Sequence, residues 1–139
     1  MAFLMPVHEV AERGFGRAAV DYERGRPGYP PEAVAFLTRE LGLAAGRTVL
    51  DVGAGTGKLT RLLTPTGARV LALEPVAGMR EQLVAAVPGA ELVDGTAEAV
   101  ELPDSSVDAV TSATAFHWFD TGPALSEFRR VLTPDGRLA

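Results

Sequence analysis

Apolar residues at Ala33, Leu37 and Leu41, with Val34 and Phe36 alongside, recur at four-residue spacing and predict a helix with one buried stripe. Pro31 suits the first helical position, where its missing N–H is not needed, and Gly42 and Gly46 end the pattern. The period then shortens. Thr48-Val49-Leu50-Asp51-Val52 is a β-branched apolar run stopped by glycines, which predicts a buried strand. Gly57 to Leu63 reads as a helix, and Arg69 to Leu73 as a second strand. Met79, Leu83 and Val87 mark the next helix at i, i+4 and i+8. Ala90 to Val93 makes a short third strand, and Val107 to Ala113 a fourth. Pro123 to Leu132 is helical, with Leu125, Phe128 and Leu132 on one face. Thr133-Pro134-Asp135-Gly136 is a turn, and Arg137-Leu138-Ala139 starts another strand.

Strands alternating with helices imply βαβ units, hence an α/β fold with a parallel sheet covered by helices on both faces. On this reading the chain stops where a fifth strand begins. The fourth strand then exposes backbone donors and acceptors along one edge, a template for pairing with another copy of the chain. The expectation is an incomplete domain, a fragment or a homodimer joined at that edge. Residues 1–30, broken by glycine and proline, form a separate N-terminal segment before the core of residues 31–139.

Composition narrows the function. A chain of 139 residues fits one domain at roughly 150 residues each. With 47% hydrophobic and 22% charged residues it has the balance of a globular protein. No apolar run nears the roughly 20 residues of a membrane helix, and Ala2-Phe3-Leu4-Met5 is too short for a signal peptide. Absence of cysteine excludes disulfides, thiolate metal sites and thiol nucleophiles, and no metal is expected. The net charge of −5 argues against nucleic acid as a partner. A cytoplasmic domain with a small-molecule or protein partner is predicted.

The loop after the first strand carries most of the chemistry. Glycines between a strand and a helix let backbone approach a ligand closely, and free N–H groups at a helix start favour an anionic group. Spacing separates the ligand classes. A phosphate loop, G-x-x-x-x-G-K-S/T, fails because Val52 stands at its first glycine and Leu59 at its Ser/Thr. The dinucleotide fingerprint G-x-G-x-x-G/A begins at Gly53 and Gly55 but meets Lys58 where a small residue belongs.

Asp51-x-Gly53-x-Gly55-x-Gly57 resembles the cofactor motif of class I S-adenosylmethionine-dependent methyltransferases. The resemblance implies a Rossmann-like core in which the amides of Gly53, Ala54, Gly55 and Gly57 meet the carboxylate of S-adenosylmethionine and Asp51 meets its ammonium. Glu74, 23 residues after Asp51, stands where an acidic residue about 20 positions on accepts from ribose hydroxyls. Pro75 and Met79 follow where the family contacts adenine, although Met79 is equally a core residue by its spacing. Gly95-Thr96-Ala97-Glu98 resembles the next family segment, which puts Thr96 and Ala97 near the adenine amino group. Ala115 lies in the segment Ala113 to Phe119 at the end of the fourth strand. Tyr22-x-x-x-Arg26-Pro27-x-Tyr29-Pro30 resembles the small-molecule branch that includes trans-aconitate methyltransferase-like proteins, with Tyr22 and Arg26 closing over the cofactor.

The activity so implied is in-line methyl transfer to a small-molecule acceptor, leaving S-adenosylhomocysteine. Orientation alone supplies much of such a rate, and a carboxylate or phenolate acceptor needs no base. His117 is the candidate general base, or a residue packed beneath the pocket. Phe116 and Trp118 read as apolar wall. Two rival readings stay open: a non-catalytic fragment that associates through its sheet edge, and a nicotinamide-dependent oxidoreductase.

Overall fold

The computed structural model describes residues 28–113 and 115–139, without the side chain of His117. Helix α1 (Pro31–Leu41) leads into β1 (Thr48–Val52), then α2 (Thr60–Leu63) and a 3-10 turn at Thr64–Thr66. β2 (Arg69–Leu73), α3 (Ala77–Ala86) and β3 (Glu91–Val93) follow. A small antiparallel pair, β4 (Gly95–Thr96) and β5 (Ala99–Val100), precedes β6 (Val107–Thr111). A 3-10 turn at Phe116–Trp118, α4 (Thr121–Val131) and β7 (Leu132–Leu138) complete the described elements.

The main sheet has the order β3-β2-β1-β6-β7, and every neighbouring pair is parallel. The order reverses at β1, flanked by β2 and β6, so the crevice beyond their carboxyl ends is where such sheets bind ligands. Alternation along the central strands supplies two apolar faces. Leu50, Val52, Leu71, Leu73, Val107 and Val110 pack with Phe128 and Val131 of α4. Val49, Val70 and Ala109 pack on the other face with Leu41 of α1 and Leu63 of α2. Each fully buried Leu, Val or Phe contributes about 1.5–3 kcal/mol relative to exposure. The architecture is the Rossmann-like α/β fold expected.

Several boundaries differ from the sequence reading. The helix expected from Gly57 starts only at Thr60, because Gly57 has φ 91° and cannot be helical. The fourth strand ends at Thr111 rather than Ala113. The β4–β5 pair had no sequence signal, each strand being two residues long.

The open-edge expectation is corrected. The strand expected to start at Arg137 begins at Leu132 and pairs with β6, so the fourth strand is hydrogen-bonded on both sides. The predicted turn is present inside β7 as a bulge: Leu132 faces Val107 and Arg137 faces Ala109. Tyr22, Arg26 and the expected covering segment before Gly28 lie outside the described residues, as does Thr114.

Candidate functional site

β1 ends at Val52, and the chain turns through Gly53, Gly55 and Gly57, all at positive φ (69°, 61° and 91°). Two of these glycines are required by close packing. A Cβ on Gly53 would lie 2.5 Å from the Ala115 Cβ and 3.1 Å from Phe119 Cζ. A Cβ on Gly57 would lie 2.7 Å from Leu83 Cδ1 and 2.9 Å from Val87 Cγ2, on and just after α3. Gly55 differs: the nearest atom to its added Cβ is Met79 Sδ, at 3.9 Å. The loop is therefore gripped at both ends and opens toward Met79 in the middle. Met79 is itself buried, so it serves the core and lines the loop at once.

The amides do not stand free, which corrects the expectation of unpartnered N–H groups. Gly53 and Ala54 donate to Leu73 O at 2.9 and 3.1 Å, and Gly57 donates to Ala54 O at 3.0 Å. Gly55 donates to Glu74 Oε2 at 2.8 Å. α2 has only four residues and begins beyond the loop, so a helix dipole adds little there.

Glu74 follows the last residue of β2 and is buried. Its second oxygen accepts from Val76 N at 3.0 Å. Burial pushes its carboxyl above the ordinary glutamate value, opposed by the two amide donors and by the charge of Arg80. A carboxylate has about four acceptor positions, so two amides leave capacity for hydroxyls of a ligand. Pro75 is half-buried beside it.

Asp51 is buried beneath the loop, its carboxylate accepting from Thr60 Oγ1 at 2.8 Å and Thr111 Oγ1 at 2.9 Å. Thr96 is half-buried and Ala97 buried, in and just after β4. Glu98 follows them in the turn between β4 and β5. It accepts from Asp120 N at 2.8 Å and ties the β4–β5 hairpin to the start of α4. Between these points Phe116 and Phe119 meet edge-to-face at 6.0 Å, and Phe119 meets Phe128 at 6.3 Å. His117 sits in the 3-10 turn beside them.

The sequence reading missed Thr60, Thr111 and Phe119, which earn their places only through strand register and the return of residues 115–119 over the loop. Lys58 is buried, and the close helix contact of the loop is made by Gly57. Among the described residues no three potential metal ligands cluster, and no helix is long and apolar enough to cross a membrane.

A family profile described as a methyltransferase domain matches residues 50–139, from β1 to the end of β7. The chain belongs to this methyltransferase-domain family. It is 52% identical over 124 residues to an uncharacterized methyltransferase of Mycobacterium tuberculosis, covering 89% of this chain and 49% of the relative. It is 44% identical over 142 residues to a malonyl-[acyl-carrier protein] O-methyltransferase of Methylococcus capsulatus, covering 90% and 48%. The chain thus spans about half the length of these curated relatives. A phosphoethanolamine N-methyltransferase 2 of Haemonchus contortus, solved in complex with S-adenosyl-L-methionine, shares the fold with a TM-score of 0.78. That match covers 98% of this chain and 35% of the nematode chain at 18% identity.

Proposed function

We propose that this chain forms the cofactor-binding core of an S-adenosylmethionine-dependent methyltransferase acting on a small molecule. The observation that carries the reading is the pairing of Gly55 with Glu74 at the reversal point of the sheet. A glycine backbone and a buried carboxylate meet there, within reach of one ligand. The residues fit the group: Gly55 has no side chain between its backbone and the Met79 sulfur, and Glu74 retains acceptor capacity for a ribose diol. Gly53, Ala54 and Gly57 shape the loop, and Pro75, Met79, Thr96 and Ala97 would contact the adenine. Ala115 forms the wall over Gly53.

When bound, the sulfonium supplies an already activated methyl group. The protein has then to align the acceptor with it and exclude water, which Phe116 and Phe119 favour as apolar wall. Well-oriented reactants reach effective molarities of about 10⁵–10⁸ M, so alignment carries much of the rate. An acidic oxygen is the acceptor supported by the malonyl-[acyl-carrier protein] O-methyltransferase relatives. A carboxylate acceptor is already ionised and asks no proton transfer of His117.

Calorimetric titration with S-adenosylmethionine and with NAD tests the reading. Saturable binding of the former, weakened about tenfold to a hundredfold by Glu74→Ala through loss of a charged acceptor, is expected. A response to NAD alone would replace it with the oxidoreductase reading.

A further inference from the structure

Asp51 and Thr111 stand level across β1 and β6 in the parallel register. Their side chains therefore leave the sheet on the same face. That face looks onto α2, whose first residue is Thr60. Asp51 is 1% exposed, Thr111 1% and Thr60 0%, beside the apolar layer of Val49, Leu63 and Ala109. A carboxylate at that depth persists only where donors reach it. Thr111 Oγ1 donates to one of its oxygens and Thr60 Oγ1 to the second.

Asp51 and Thr60 bracket the glycine loop. Asp51 lies two positions before Gly53, and Thr60 three positions after Gly57. α2, with four residues and no side-chain cap, is a weak anchor by itself. We infer that Thr60 and Thr111 are positioning residues for the ligand site, whose hydroxyls fix the Asp51 carboxylate and through it the backbone of Gly53 to Gly57. Thr111 adds a link to β6, the strand that leads into the Ala115–Phe119 wall. The effect on the loop follows from the structure alone, and the effect on S-adenosylmethionine rests on the function proposed above.

The test compares Thr60→Val, Thr111→Val and the corresponding serine variants. Valine keeps the volume and removes the hydroxyl, while serine keeps the hydroxyl. A control, Val131→Ala, loosens the opposite face of the sheet, where Val131 is buried at the end of α4 away from the Ala115–Phe119 wall. Amide hydrogen exchange at Gly53, Ala54, Gly55 and Gly57 is read far below the unfolding midpoint, beside calorimetric titration with S-adenosylmethionine. Each valine variant is expected to speed exchange at these amides and to weaken binding by about tenfold, as for loss of one hydrogen bond to a charged group. Serine is expected to restore both, and Val131→Ala to leave both within about twofold, as for a distant independent site. Valine variants indistinguishable from wild type, or a control that moves the loop as much, would overturn the inference. Wild-type protein that ignores S-adenosylmethionine while the exchange pattern holds would sink the cofactor reading and support the role of the two threonines.

Discussion

The Gly55 amide donates to Glu74 Oε2 at 2.8 Å, so the loop after β1 and the end of β2 are latched through one carboxylate. Because burial raises the Glu74 carboxyl above its ordinary value of 4.5, folding favours its protonated form. Below that ordinary value the group is protonated folded or unfolded, and its contribution to stability is fully present. As pH rises through the raised folded value, the buried carboxyl must ionise and that contribution is lost. Urea midpoints measured across this window should fall with rising pH in wild type. In Glu74→Gln the fall should be absent, and an unchanged slope would contradict the assignment. Ligand affinity should run the opposite way, increasing as the carboxyl ionises to accept from hydroxyls.

Gly57 and Gly42 both have positive φ, 91° and 63°, but only Gly57 is packed against other side chains. Gly42→Ala should cost about 1–2 kcal/mol for the left-handed backbone alone. Gly57→Ala adds a methyl group 2.7 Å from Leu83 Cδ1 in the core, and should cost about 3 kcal/mol or more in total. Denaturant titration of the two variants side by side gives the difference. Equal losses would mean that α3 yields freely to the loop.

Gly53→Ala is expected to displace the segment from Ala115 to Phe119, since the new Cβ would sit 2.5 Å from that of Ala115. Removing the opposing methyl should relieve it. The double variant Gly53→Ala/Ala115→Gly should recover more than about 0.5 kcal/mol beyond the sum of the singles, the mark of direct contact. Additive losses in thermal unfolding would show that the two residues do not press on each other.

Arg130 spends its whole guanidinium on one corner of the fold. It donates to both oxygens of Glu127, to the carbonyls of Val100 and Leu102, and to Asp104. Glu127 also accepts from Val100 N. The bonds from Arg130 hold the Glu127 carboxyl below the ordinary glutamate range. Its contribution is present above that range and is lost as pH falls through the lowered value. Arg130→Lys keeps the charge but not the planar fork. Allowing for solvent screening, it should cost about 1–2 kcal/mol, a drop of about 3–8 °C in Tm. Calorimetry at neutral pH measures it, and the acid-side loss should shrink in the variant.

The β–α alternation was legible because Val49, Leu50, Val70 and Leu71 are buried on both faces of a parallel sheet and leave unbroken apolar runs. The glycine loop was legible because all three glycines have positive φ and two of them, Gly53 and Gly57, also sit in packing too close for a side chain. What stayed hidden depends on register or on distance in the chain. Nothing in the sequence places Thr111 level with Asp51, or folds Phe119 back over Gly53. The same limit explains the amides: Leu73 O captures those of Gly53 and Ala54 only once β1 and β2 are side by side. The helix start was misjudged by three residues, since Gly57 looks like a helix residue until its φ is known.

The bulge in β7 has a consequence for how that strand can be paired. Five residues of β7 advance against two of β6, and exposed Pro134 and Asp135 lie in the surplus. A straight strand paired along that stretch would find its backbone groups out of step, with one amide hydrogen missing. The kink thus confines regular pairing of β7 to its two ends.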